Sequence, residues 1–94
     1  MALHELHPFS RSEIAKVPQK RGVYVLFQIE NPIHADGAEN LRKGLLRGKA
    51  EFPGATHFSA ETLTASARAV RQRVRELRQE LRLVRAAAFM GSAR

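Results

Sequence analysis

The stretch Gly22-Val-Tyr-Val-Leu-Phe-Gln-Ile29 is dense in β-branched and aromatic side chains. Its alternation puts Val23, Val25, Phe27 and Ile29 on one face and Tyr24, Leu26 and Gln28 on the other, which predicts a central strand. The connection Glu30-Asn31-Pro32 is short enough for a hairpin, so Ile33-His34-Ala35 is expected to return antiparallel as a second, shorter strand. Beyond it, Asp36-Gly-Ala-Glu39 has the spacing of a helix cap followed by a glutamate, and Leu41 and Leu45 fall four apart. A helix from about Gly37 to Leu46, ending near Gly48, follows from that pattern. Pro53-Gly54 is a turn signal, and Ala55-Thr-His-Phe58 reads as a third strand.

Upstream, Ser10-Arg-Ser-Glu13 has capping-box spacing, so a short helical turn through Ile14 and Ala15 is expected, stopping before Pro18. Downstream, Leu63, Ala67, Val70, Val74, Leu77, Leu81 and Val84 recur at alternating steps of four and three. That rhythm predicts one amphipathic helix over about 60–88, with Ser59 or Thr62 as its cap, on the order of 40 Å long at the usual rise per residue. Its first half is expected to lie on the sheet. The end bearing Leu77, Leu81 and Val84 is a candidate surface for homodimer formation or an adaptor partner. Residues 1–9 read as an N-terminal arm and residues 89–94 as a frayed end. The expectation is an α+β domain spanning residues 1–94, with a small antiparallel three-stranded sheet flanked by a short helix and the long C-terminal helix.

A chain of 94 residues has room for one hydrophobic core of ordinary size, and 44% hydrophobic against 27% charged residues is a globular balance. The absence of cysteine excludes disulfide scaffolds, thiolate metal sites and thiol enzymes, and fits a reducing, cytoplasmic setting. No apolar run reaches the 18 or so residues of a membrane span, and the stretch from Met1 to Glu5 lacks the features of a secretory signal. The formal charge of +7 is unevenly placed: residues 1–60 carry eight basic and six acidic residues, residues 61–94 eight and three. The C-terminal third therefore favours anionic partners. Arg68, Arg71, Arg75, Arg78, Arg82 and Arg85 form a stripe offset from the apolar one. A solubilising face is the commoner explanation of such a stripe. The near-exclusive use of arginine favours phosphate or carboxylate recognition, since the guanidinium fork bonds such groups in two places.

Val17-Pro-Gln-Lys-Arg-Gly-Val-Tyr24, followed by a hairpin and then Ile33-His-Ala-Asp-Gly-Ala-Glu-Asn-Leu-Arg-Lys-Gly-Leu45, resembles the opening of a GIY-YIG nuclease domain. The resemblance covers Val17 to Leu45 by motif and continues to the long helix only by order of elements. It implies that Tyr24 matches the first-motif tyrosine, which in the family helps activate water near a metal ion. It also places His34 at the second-motif tyrosine, Ala35 and Asp36 at the remainder of that motif, and Gly44 where the family has a catalytic arginine. Arg47, one turn on, is a substitute. The metal-binding glutamate falls near Arg71 or Gln72, with Glu61 and Glu76 the nearby acids, and a cation cannot hold magnesium. His4, His7 and His57 make no metal site by spacing.

The reading that follows is a degenerate family member without a cofactor that binds DNA or RNA phosphates through Arg42, Lys43, Arg47, Arg71, Arg75, Arg78 and Arg82. One alternative is an active magnesium-dependent endonuclease using Tyr24, His34, Arg47 and Glu61 or Glu76. The other is an oligomerisation or adaptor domain. A membrane-surface role is disfavoured, because the sequence has no tryptophan.

Overall fold

The computed structural model describes residues 3–81. In chain order these form β1 (His7–Pro8), α1 (Arg11–Ile14), β2 (Gly22–Gln28), β3 (Asn31–Ala38), α2 (Leu41–Glu51), β4 (His57–Thr62) and α3 (Ala67–Leu81). The four strands form one antiparallel sheet in the order β1-β4-β2-β3. The α+β class is as expected. The sheet has four strands, not three, because His7 and Pro8 pair with Phe58 and His57 instead of belonging to a loose arm. Two residues carry no periodicity, so this edge strand left no signal in the sequence. Phe9 follows it into the core, its amide donating to the Thr56 carbonyl at 2.9 Å.

The alternation of β2 is as anticipated and divides the interior into two layers. Tyr24 and Leu26 face Phe9, Ile14, Val17, Leu41, Leu45, Phe58 and Ala60, under α1 and α2. Val23 and Val25 face Ala35, Val70, Val74 and Leu77, under α3. Each fully buried large side chain, such as Leu26 or Phe58, contributes about 1.5–3 kcal/mol relative to exposure. Ile29 leaves the pattern: with Glu30 it forms the two-residue hairpin turn, at a φ of 61° and 68% exposed. The turn therefore comes before Asn31 and Pro32, which begin β3. Pro32 is tolerated because β3 is a sheet edge and needs no donor there.

The boundaries of α2 and α3 differ from expectation for related reasons. Asp36 and Gly37 remain in β3, opposite Tyr24 and Val23, and the cap of α2 is Asn40, whose side chain accepts from the Lys43 amide at 3.2 Å. A strand that pays for long pairing with β2 overrides the cap-like spacing of Asp36 and Glu39. At the α1 end the expected cap is present: the Ser10 hydroxyl accepts from the Glu13 amide at 3.3 Å. Residues 57–62 are strand β4, so Ser59 and Thr62 pair with β2 instead of capping a helix, and α3 starts at Ala67 behind Ser66, whose Oγ accepts from the Ala69 amide at 3.0 Å. Leu77 is buried against the sheet and Leu81 packs beside it, so both serve the intramolecular core. Val84, Arg82 and the rest of the expected helix to residue 88, with the expected frayed end, lie outside the described residues. No helix among the described residues is long and apolar enough to cross a membrane.

Candidate functional site

The side chain of Tyr24 projects from β2 toward α2. Gly44 and Gly48, one turn apart on the buried face of that helix, let it close on the ring: a Cβ at Gly44 would stand 3.4 Å from Tyr24 Cε2, and one at Gly48 4.0 Å from Tyr24 Cε1. Asp36 is the cross-strand partner of Tyr24 on β3, and His34, two residues earlier, shares its face. The Tyr24 and His34 rings lie 6.1 Å apart, and His34 stacks on Phe52 with ring centroids at 4.4 Å. Sequence and structure thus agree in bringing Tyr24 and His34 together on neighbouring strands.

Asp36 organises the charges around this cluster. Its Oδ1 accepts from the Gly37 amide at 2.8 Å and lies 3.8 Å from Arg78 Nη2, while its Oδ2 lies 3.9 Å from His34 Nε2. Arg78 crosses from α3 to the open edge of β3, where its Nε donates to the Ala35 carbonyl at 3.2 Å. Burial, reinforced by the Asp36 and Glu51 carboxylates, pushes the Tyr24 phenol up to about 12 against the opposing pull of Arg47 and Arg78. The phenol is therefore held protonated at neutral pH. His34 is pushed below its usual range, chiefly by burial, with Asp36 resisting and Arg78 assisting, so the imidazole is favoured in its neutral form.

Among the described residues, the carboxylates near this cluster are mostly engaged by guanidiniums, Glu51 excepted. Glu61 and Glu76, the carboxylates that the resemblance offered, share Arg73 at 3.7 and 3.5 Å, and Glu80 joins them at 3.7 Å. Asp36 already carries Arg78. No three of His, Asp or Glu among the described residues come together in a way that holds a metal ion. Nor is there room for an arginine at position 44: a Cβ there would stand 2.7 Å from the Ala38 Cβ, which is fixed to the backbone of β3. Arg47 is exposed on α2 and close enough to act on the Tyr24 phenol.

The cations named from sequence do not form one surface. Arg42 is tied down, its Nε donating to the Val17 carbonyl at 3.0 Å, and Arg78 is held by β3. Lys43 and Arg47 stand exposed on α2, whereas Arg71 and Arg75 stand exposed on α3, on the opposite side of the sheet. Arg68 continues the α3 row, and no carboxylate among the described residues pairs with Arg68, Arg71 or Arg75. Sequence reasoning missed the part played by Asp36 and the anchoring of Arg78. The first was legible as the period-two partner of His34; the second needed the register of α3 over β3, which no local pattern carries.

No protein-family model matches the chain, and no curated protein matches it significantly. Among solved structures, it is similar to the GIY-YIG N-terminal endonuclease domain of UvrC from Thermotoga maritima, a point mutant bound to its catalytic divalent cation. The TM-score is 0.64 and the identity 19%, over 77% of this chain and 88% of that one. The order of strands and helices described above is thus a GIY-YIG-like fold.

Proposed function

We propose that this GIY-YIG-like domain grips DNA or RNA phosphates through the outer face of α3 and has lost the chemistry of cutting them. The observation that carries the reading is the row Arg68, Arg71 and Arg75, three exposed guanidiniums spaced at three and four residues without a carboxylate partner among the described residues. Like charges at that spacing repel by a few tenths of a kcal/mol per pair, a cost that a bound polyanion removes. The fold neighbour is an endonuclease domain, which makes a nucleic acid the natural polyanion to test. Lys43 and Arg47 on the far side of the sheet are not part of this row.

Loss of cleavage is supported by the pairing of three acids with guanidiniums, Asp36 with Arg78 and Glu61 and Glu76 with Arg73, which leaves Glu51 as the one carboxylate acting on Tyr24 without such a partner among the described residues. No cofactor is part of this function. The test is twofold. Fluorescence anisotropy of labelled duplex and single strands at low salt should give saturable binding, and absence of affinity for either ends the reading. Incubation of the same strands with magnesium or manganese should leave them intact; products that disappear in Tyr24→Phe would restore the enzyme.

A further inference from the structure

We propose that the outer face of α2, together with α1, docks an acidic protein segment carrying one large apolar side chain. The proposal concerns the side of the sheet opposite the arginine row of α3 and is independent of it. Leu46 stands 42% exposed at the centre of this face. Its neighbours three and four residues away along the helix are Arg42, Lys43, Lys49 and Ala50, three cations and an alanine with no acid among them. Beside it opens a recess of about 400 Å3 lined by Arg11, Leu46, Lys49 and Ala50, where α1 faces α2.

The Lys49 ammonium is drawn inward, its Nζ donating to the Phe9 carbonyl at 3.0 Å over the Phe9 ring, so its stem lies along the recess as apolar wall. Arg11 and Lys43 remain as flanking charges. The one acid of α1, Glu13, is occupied by Lys16 at 3.0 Å. A concave floor of leucine, alanine and lysine stem accepts an apolar side chain, and the cations around it attract carboxylates on either side. A phosphate backbone would use the charges and leave the leucine floor unfilled, which is why charge and shape together favour a protein segment.

The probe is a synthetic peptide of alternating aspartate and glutamate around one central phenylalanine, with a control in which serine replaces the phenylalanine. Titrated into the 15N-labelled protein, the phenylalanine peptide should shift the amides of Arg11, Leu46, Lys49 and Ala50 in a saturable manner. Leu46→Asp, a change at an exposed position, should weaken it about 10- to 100-fold while leaving duplex affinity unchanged. The proposal is overturned by no saturable shift in the wild-type protein, by shifts on α3 instead, or by equal affinity for the serine peptide. A duplex that competes with the peptide and shifts the same four amides would overturn it too, in favour of nucleic acid.

Discussion

Replacing Arg78 with methionine isolates what the guanidinium does for the β3 edge, because the methionine keeps most of the apolar stem over the strand. Two interactions are lost: the 3.2 Å bond from Nε to the Ala35 carbonyl and the 3.8 Å pair with Asp36. A hydrogen bond from a charged donor contributes about 1.5–3 kcal/mol where water is excluded. The Arg78 side chain is 38% exposed and the freed carbonyl lies on a sheet edge where water replaces the donor, so the lower part of that range applies. The ion pair, half-exposed and long, adds at most about 1 kcal/mol. A loss of about 1.5–2.5 kcal/mol is expected, which for a domain of this size lowers Tm by roughly 6–20 °C. Urea denaturation with unchanged slope is the assay, and hydrogen exchange should quicken in β3 ahead of β2. A second arm, Asp36→Asn alone and with Arg78→Met, should reveal a coupling of about 0.2–1 kcal/mol, the range of half-exposed ion pairs. A methionine variant as stable as the wild type, or strictly additive changes, would refute the anchoring role.

Three further outcomes are expected. Ile29→Gly should stabilise the protein by roughly 1 kcal/mol in denaturant melts, because a β-branched residue at φ 61° is strained and Ile29 contributes little burial; destabilisation would contradict the turn geometry. Gly44→Arg should fail to introduce cleavage and should lower Tm, since the new Cβ meets Ala38 and α2 must lift off the sheet; a cooperative fold of undiminished stability would show that the site has room. The chain has a single tyrosine, so tyrosinate absorbance reports Tyr24 alone and should titrate near 12 in the folded state against 10 unfolded. The folded state keeps its proton to higher pH, so stability falls as pH rises from 10 towards 12, a fall that Tyr24→Phe removes. A midpoint near 10 before unfolding would contradict the buried placement.

What the sequence made legible was the local alternation of β2 and the apolar rhythm of α3, because each repeats often enough to outweigh single exceptions. The cap of α1 was legible too, since it depends on residues three apart. The fourth strand was not, because His7 and Pro8 are ordered by the distant β4 and not by their own pattern. Asp36 and Glu39 had the spacing of a cap, yet Asp36 pairs with Tyr24 across β2 and β3: long-range pairing prevails over a local propensity of about 1 kcal/mol. The arginines of α3, those of the stripe and Arg73 beside it, stand in three different settings. Arg73 is held among carboxylates and Arg78 at a strand edge, while Arg68, Arg71 and Arg75 remain exposed. Only the rotation of the helix on the sheet separates these roles.

The central claim, phosphate binding through α3, is tested most directly by the salt dependence of duplex binding for the wild type and for Arg68→Ala/Arg71→Ala/Arg75→Ala. Three neutralised phosphates correspond to a slope of about −2.7 in log affinity against log salt, so the triple variant should lose about that much slope together with most of its low-salt affinity. A variant that binds as tightly and with the same slope as the wild type would contradict the account.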